Sequence, residues 1–184
     1  YVPESIDFDP GLSVYQNLFL YVKMYSRSRT NSIDDIINHW STIFRFNDLI
    51  SLKVKDLNLS MSRVIQLSRI FMCNSEIIIL DQPTKDLDPE NKIIFWKNLK
   101  TVLRSSTVIY SSHDFDEIET QSDRIAFLDN GKIRLNGTIA DIMIETKGYG
   151  RDRCHVVGLE RQQREEGMGY VMHATIPLEY YGNT

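Results

Sequence analysis

A short aliphatic run that ends in a carboxylate constrains the fold of this 184-residue chain more than any other feature. Residues 77–80 are three isoleucines and a leucine, and Asp81 follows them before Pro83 marks a turn. A continuous apolar run of this length predicts a strand over 77–81 that is buried within a parallel sheet. In such a sheet the residue after the strand lies at the carboxyl edge, where α/β proteins bind their ligands.

Strands and helices alternate through the second half of the chain. The pattern predicts a helix from Pro89, with Ile93, Trp96, Leu99 and Val102 facing inward. Further elements are predicted over residues 107–111 (strand), 116–121 (acidic helix), 124–128 (strand) and 132–135 (strand), with a hairpin turn at Asp129-Asn130-Gly131. This alternation predicts the α/β class, with a mainly parallel sheet flanked by helices.

The first third of the chain is predicted to be helical. A helix over 13–25 begins with a capping box of Ser13 and Gln16, and Ser32 is the predicted cap of a second helix. A third helix is predicted from about Met61 to Met72. The apolar residues that recur at helical spacing in these segments are Val14, Leu18, Tyr21, Tyr25, Ile33, Ile36, Ile37, Trp40, Ile43, Phe44, Val64, Ile65, Ile70 and Phe71.

The last part of the chain gives weaker signals. Residues 151–169 are charged and contain glycine, which predicts a linker, and Tyr170 to Ile176 is a strand-like piece. The chain begins at Tyr1 in what has the pattern of mid-domain sequence, so we expect a fragment of a longer protein.

Composition excludes several classes of function. The hydrophobic share of 42% and the charged share of 25% are typical of a globular domain. A net charge of −4 argues against nucleic acid as a partner. Cys73 and Cys154 lack metal-ligand spacing and favour a reduced, intracellular setting. No apolar run reaches membrane-spanning length, so we expect no direct membrane insertion of this chain.

Each candidate functional residue has an ordinary structural interpretation beside the functional one. Asp81 could order Mg²⁺ through water beside a phosphate, or could simply end a buried strand in a turn. Asp88-Pro89 is the usual opening of any helix, because Asp is favoured at the N-cap and Pro at the first helical position. His113 follows a predicted strand, and a lone histidine is more often a surface or core residue than a functional one.

Taken in order, these segments resemble one family. Residues 77–89 are similar to the Walker B strand and D-loop of an ABC transporter nucleotide-binding domain, written ILDEPT and then S/A-G-L-D-P. Residues 111–117 resemble its H-loop, S-T-H-x-x-x-E, and residues 123–138 the D-R-I-x-x-x-x-x-G-K-I-x-x-x-G-T/S segment. Val2-Pro3-Glu4 lies where the family has its Q-loop, and Leu57 to Met61 where it has the signature L-S-G-G-Q/M. The chain is identified as the C-terminal portion of such a domain, from the Q-loop onward.

The resemblance implies a role for each matched position. Asp81 would order Mg²⁺, His113 would contact the γ-phosphate of ATP, and Asp88 would help to link two cassettes. Gln82 occupies the position of the catalytic glutamate, and Glu4 could also ligate the metal. The signature positions, which would reach the nucleotide of an opposing cassette, are Asn58, Leu59, Ser60 and Met61.

Several of these positions depart from the family pattern. Gln82 can accept a hydrogen bond from water but cannot take its proton. Leu59 and Ser60 replace two glycines at a turn whose backbone must approach a phosphate closely, so Ser60 as a simple helix cap is the plainer interpretation there. None of the nine glycines lies in a Walker A pattern, G-x-x-x-x-G-K-[ST].

The resemblance implies a P-loop NTPase-like cassette that couples ATP and Mg²⁺ binding to transport, with impaired hydrolysis. Its partners would be a second ABC cassette and transmembrane domains, at the cytosolic face of a membrane. Residues 1–146 would form the partial nucleotide-binding domain, with a helical subdomain over 12–73 and an α/β part over 74–146, followed by a linker and regulatory extension over 147–184.

The tail narrows the resemblance to one branch of the family. Residues 141–150 and 170–179 are similar to segments of eukaryotic subfamily A cassettes, which are lipid transporters. Two alternatives remain open: an active ATPase cassette, and a non-catalytic interaction or regulatory fragment.

Overall fold

The computed structural model describes residues 1–26, 32–73, 75–102, 106–129, 131–145 and 156–160. These form two compact units: a helical unit, made of the described residues within 2–76 and 84–106, and a sheet unit, made of residue 1 and the described residues within 77–83 and 107–160. The helical unit holds α1 (Val14–Tyr25), α2 (Ile33–Ile43), α3 (Leu59–Met72) and α4 (Pro89–Val102). The sheet unit holds β1 (Ile77–Leu80), β2 (Thr107–Ser112), α5 (Phe115–Gln121), β3 (Arg124–Asp129), β4 (Lys132–Gly137), α6 (Ile139–Glu145) and β5 (Val156–Glu160).

Local sequence signals set the first two helices. The Ser13 hydroxyl accepts a hydrogen bond from the Gln16 amide at 3.1 Å, and the Gln16 side chain accepts one from the Ser13 amide at 2.9 Å. The predicted capping box is therefore confirmed. Ser32 caps α2 by accepting from the Asp34 amide at 3.2 Å. Acidic side chains in the first turn of α2 further stabilise it through the helix dipole.

An aromatic cluster forms the core of the helical unit. Phe71 of α3 lies with its ring centroid 4.9 Å from that of Trp40 and 5.2 Å from that of Phe44. Phe95 of α4 meets the Phe71 ring edge-on at 6.3 Å. These side chains are at most 7% exposed, so the predicted apolar face of α2 is confirmed at Trp40 and Phe44.

The prediction that Ile93 of α4 lies in the core is wrong. Ile93 is 68% exposed, whereas Phe95, Trp96 and Leu99 are buried. Around a helix of 100° per residue, Ile93 lies about 60° from Trp96 but about 120° from Leu99 and about 160° from Phe95. The buried stripe is centred on the latter residues and leaves Ile93 at its edge.

The described strands form one sheet in the order β1-β2-β5-β3-β4. Strands β1 and β2 run parallel, whereas β5 pairs antiparallel with both β2 and β3, and β3 pairs antiparallel with β4. The α/β class is confirmed, but only one of these pairings is parallel. The difference arises because β3 and β4 are a hairpin, which is antiparallel by construction, and because β5 lies reversed between β2 and β3.

Strand β5 also corrects the predicted linker over 151–169. Its five residues are Val-Val-Gly-Leu-Glu, and the valines favour a strand. The linker was predicted from the average composition of residues 151–169, in which charged residues hide this short aliphatic run. The strand-like piece from Tyr170 to Ile176 lies outside the described residues.

Strand β1 is buried on one face only, contrary to the prediction. Ile78 and Leu80 are at most 2% exposed, but Ile77 and Ile79 are 63% and 42% exposed. Strand β1 lies at the edge of the described sheet, and its alternate side chains point to opposite faces.

Among the described residues, no helix has both the length and the apolar character that a membrane crossing needs.

Candidate functional site

The carboxyl ends of β1 and β2 place Asp81 beside Ser111. The two strands are parallel, with Leu80 opposite Tyr110. The residues that follow, Asp81 and Ser111, therefore lie at the same edge of the sheet. The Ser111 hydroxyl donates a hydrogen bond to Asp81 Oδ1 at 2.7 Å and accepts one from the Gln82 amide at 2.8 Å. Ser111 was not predicted from sequence as a site residue, although the parallel register of the two predicted strands would place it beside Asp81.

Gln82 has an unusual backbone conformation. Its φ is +47°, in the left-handed region that residues with a Cβ rarely adopt. Such a conformation costs on the order of 1–3 kcal/mol and persists only where the surroundings hold it. The hydrogen bond from the Gln82 amide to the Ser111 hydroxyl is one such restraint. It holds the backbone of Gln82 and so helps to set the direction of the Gln82 side chain.

His113 lies at the same edge, on the connection between β2 and α5. Its side chain is exposed. The connection is fixed on both sides: the buried Ser112 hydroxyl donates to Glu117 Oε2 at 2.6 Å, and Asp114 caps α5 by accepting from the Glu117 amide at 3.2 Å. The structure thus brings Asp81, Gln82 and His113 to one edge of the sheet unit.

The signature segment opens α3 in the helical unit, but not as predicted. Asn58 is the N-cap, since its Oδ1 accepts from the Met61 amide at 2.8 Å. The predicted cap at Ser60 is wrong because Ser60 already lies in the first turn, and its hydroxyl donates instead to Asp88 Oδ2 at 3.3 Å. Leu59 is 57% exposed.

Asp88 opens α4, as its simple structural interpretation predicted. Its Oδ1 accepts from the Asn91 amide at 2.9 Å, and its Oδ2 accepts from the Asn91 side chain at 2.6 Å. The backbone hydrogen bond from Asn91, followed by that from its side chain, holds the pKa of the Asp88 carboxyl below its ordinary value.

These bonds predict an acid-dependent contribution to stability. Because the folded-state pKa of Asp88 is lowered, its stabilisation is complete above the ordinary pKa of about 4 and is lost as the pH falls through the folded value. Asp88→Asn keeps an N-cap acceptor but does not titrate. As the pH is lowered from about 5 through and below the ordinary pKa of about 4, we expect the Tm of the unsubstituted chain to fall more steeply than that of Asp88→Asn in calorimetry. Equal slopes would contradict this prediction.

Glu4 is engaged by a neighbouring cation. Its carboxylate forms an ion pair with the Lys85 ammonium, and both side chains are about half exposed. The resembled family pattern has an uncharged glutamine at the Q-loop position of Glu4 and Ser or Ala at the D-loop position of Lys85, so two departures from that pattern contact each other. Lys85 was not predicted from sequence as a site residue, although it is a lysine where the D-loop pattern has Ser or Ala.

Asp86, which follows Lys85, replaces the D-loop glycine. Its φ is +66°, the left-handed region in which glycine is the default residue. Aspartate tolerates this conformation better than most residues with a Cβ. The backbone of the D-loop turn therefore keeps a conformation suited to glycine although the glycine is absent.

A polar row on α3 holds the segment that carries Glu4. Arg63, Gln66 and Arg69 are spaced by three residues and are at most 4% exposed. They donate hydrogen bonds to the Pro3 carbonyl at 2.6 Å, the Ser5 carbonyl at 2.8 Å and the Asp7 carboxylate at 2.7 Å, respectively. This row was not predicted from sequence, although its signal was three long polar residues at every third position of α3.

The described residues do not form a metal site by themselves. No group of three or more histidine, cysteine, aspartate or glutamate side chains within the described ranges could hold a metal ion. Mg²⁺ at nucleotide sites is usually bound by one or two carboxylates together with phosphate and water oxygens. The carboxylate of Asp81 fits a metal ion that arrives with a nucleotide.

Comparisons with curated proteins identify export ATP-binding proteins as relatives. The chain is 26% identical over 157 residues to the Nod factor export ATP-binding protein I of Rhizobium etli, covering 85% of this chain and 48% of that protein. It is 30% identical over 132 residues to the protein of the same name from Rhizobium meliloti, covering 71% and 39%. The chain thus spans about half the length of these relatives or less. No protein-family model matches it.

Comparisons with solved structures identify the fold. The ATP binding subunit of an ABC transporter matches with a TM-score of 0.71 at 20% identity, covering 79% of this chain and 60% of that one. A dimeric bacterial ABC transporter cassette matches with a TM-score of 0.67 at 20% identity, covering 75% and 61%. The chain has the fold of the ATP-binding cassettes of ABC transporters, and the relatives that it resembles in sequence are export ATP-binding proteins.

Proposed function

We propose that this chain is the C-terminal portion of an ABC transporter nucleotide-binding domain that couples ATP binding to transport and hydrolyses ATP slowly. One observation carries the proposal: Gln82 follows Asp81 at the carboxyl edge of β1, where the family resemblance puts a catalytic glutamate. An amide can orient a water molecule but cannot accept its proton. A positioned general base contributes on the order of 10²–10⁴ in rate, and this site lacks one at that position.

The other residues of this edge support nucleotide binding. Asp81 is held by Ser111 with a carboxylate oxygen at the end of the strand, where it can order the water shell of a nucleotide-bound Mg²⁺. His113 is exposed beyond β2 and can donate a hydrogen bond to a terminal phosphate. When bound, Mg²⁺ would neutralise phosphate charge. The chain's own residues would orient the nucleotide and the attacking water.

The partner-facing residues support a paired but unequal arrangement. In the proposed pair with a second cassette, Asn58 to Met61 would face the nucleotide of the partner, and Asp88 would lie at the shared interface. The exposed Leu59 side chain and the Ser60 side chain occupy positions where glycines would allow close backbone approach. We therefore expect the composite site that uses this segment to bind nucleotide weakly.

The assignment to a subfamily of ABC transporters rests on the C-terminal part of the chain. We propose subfamily A-like lipid transport from residues 141–150 and 170–179, of which the structure describes only 141–145, within α6. Nod factor export by the relatives supports export as the direction. The nucleotide-binding domain would cover residues 1–146, with its helical subdomain over 12–73 and α/β part over 74–146. Apart from β5, which lies in the sheet, residues 147–184 would form a linker and begin a regulatory extension. Transmembrane domains would place the cassette at the cytosolic face of a membrane.

An active ATPase cassette is the second candidate, and the retention of Asp81, Asp88 and His113 favours it. These residues keep the family pattern at the metal, D-loop and H-loop positions. A non-catalytic interaction fragment is the third candidate, and the Glu4–Lys85 ion pair favours it, because Glu4 is already engaged within the chain.

A binding measurement tests the proposal. We expect no measurable ATP binding by this chain alone in calorimetric titration with Mg²⁺, because a Walker A loop supplies the main phosphate contacts. When the N-terminal half of a related cassette, with its Walker A loop, is fused ahead of Tyr1, we expect ATP binding with slow turnover. Asp81→Asn in the fusion is the control and should weaken Mg²⁺-dependent binding. Tight ATP binding by the isolated chain, or no binding by the fusion, would contradict the proposal.

A further inference from the structure

We propose that Ser111 is the positioning residue of the Asp81–Gln82 edge, and that its single hydroxyl sets both the Asp81 carboxylate and the left-handed backbone of Gln82. The functional consequence of this inference rests on the proposed function. The structural inference and its test do not require a nucleotide.

The hydroxyl is used in both directions. It donates to Asp81 Oδ1 at 2.7 Å and accepts from the Gln82 amide at 2.8 Å, and both distances are typical of full hydrogen bonds. The bond to a carboxylate is charge-assisted and polarises the hydroxyl oxygen as an acceptor for the amide. Ser111 therefore couples two consecutive residues of one strand end through one oxygen atom.

The position of Ser111 in the sheet gives it no comparable packing role. In β2 the neighbouring Tyr110 and Ser112 are at most 3% exposed, whereas Ser111 points to the opposite face and is half-buried. Replacing Ser111 should thus leave the core under β2 intact. Ser112 offers a matched comparison, because it is also a serine of β2 but bonds to Glu117 and Asp114 instead.

The backbone of Gln82 is the part that most needs the restraint. A φ of +47° is unfavourable for glutamine, and the Ser111 oxygen holds the amide of that residue. Without the hydroxyl, we expect Gln82 to relax toward an ordinary conformation and to redirect its side chain. The same loss would remove the hydrogen bond that Ser111 donates to the Asp81 carboxylate. Ser111 thereby determines where the residue at position 82 points, whether it is the native amide or a restored carboxylate.

Nuclear magnetic resonance on the full, nucleotide-free chain tests this directly. Ser111→Thr and Ser111→Val match in volume and β-propensity and differ by the hydroxyl. In Ser111→Val we expect amide hydrogen exchange at Gln82 to accelerate about two- to tenfold, corresponding to one lost hydrogen bond. We also expect its Cα and Cβ shifts to leave left-handed values and the Asp81 Cγ shift to move. Ser111→Thr should retain the native values.

The control separates positioning from general destabilisation. Ser112→Ala removes two hydrogen bonds from the same strand and should leave the Gln82 signals in place. Unchanged Gln82 signals in Ser111→Val, or equal changes in Ser112→Ala, would overturn the inference. Failure of the fused cassette to bind ATP would refute the proposed function and leave these measurements unaffected, so the two failures are distinguishable.

A kinetic readout extends the test to function. In the fused cassette carrying Gln82→Glu, we expect Ser111→Val to lower kcat on the order of tenfold to 10²-fold through misplacement of the new carboxylate, with less change in KM for ATP. Ser111→Thr should retain kcat. Equal kcat for the Thr and Val variants would contradict a positioning role.

Discussion

Replacing Gln82 with glutamate is expected to raise ATP turnover on the order of 10²–10⁴-fold in the fused cassette, when it is paired with a competent second cassette. Glutamine and glutamate have nearly the same shape, so the left-handed backbone and its hydrogen bond to Ser111 should persist. The substitution therefore adds a proton acceptor at an already positioned site. Phosphate release under saturating ATP and Mg²⁺ measures the effect as kcat.

A second substitution at the same position makes this result specific. Gln82→Met keeps the length of the side chain but can neither orient nor deprotonate water, so turnover should stay at or below that of the unsubstituted protein. If Gln82→Glu changes turnover less than about threefold, well short of what a general base contributes, the active-cassette alternative is favoured. The proposal of impaired hydrolysis would then fail.

Phe71→Ala is expected to destabilise the helical unit by about 3–5 kcal/mol. Phe71 is 6% exposed. Its ring contacts those of Trp40 in α2, Phe44 at the C-cap of α2, and Phe95 in α4. Truncation would therefore leave a cavity at the point where three helices meet. Urea unfolding followed by circular dichroism gives the free energy of unfolding, and a loss below about 1 kcal/mol would contradict this account of the core.

Ile93→Ala is the matched control on α4. Ile93 is as apolar as the buried residues of that helix but is 68% exposed, and alanine has the higher helix propensity. We expect its free energy of unfolding to stay within about 0.5 kcal/mol of the unsubstituted chain. A large loss would indicate that Ile93 is buried in solution.

The features that sequence predicted well are those determined by near neighbours in the chain. The Ser13–Gln16 capping box and the Ser32 cap are read from spacings of two or three residues, and the structure has both. Gly131 at φ +72° completes the predicted hairpin for the same reason. The α/β class follows from the order of such elements and not from any long-range contact.

The features that sequence failed to predict depend on distant partners. Ser111 reaches Asp81 across thirty positions of sequence, and Arg63 reaches the Pro3 carbonyl across sixty. The N-cap of α3 is an exception: Asn58 accepts from the Met61 amide only three residues away, and both Asn58 and Ser60 satisfy the preference for an N-cap residue. Strand β5 depends on a place between β2 and β3 that no local pattern reveals.

The Glu4–Lys85 ion pair predicts that two positions change together among related sequences. Relative to the family pattern, one position gained a negative charge and the other a positive charge, and the two charged groups meet in the helical unit. A single reversion at either position would leave its counterpart charged without this ion pair. The two substitutions are therefore expected to be inherited together, and a related sequence with lysine at the D-loop position should also carry an acidic residue at the Q-loop position.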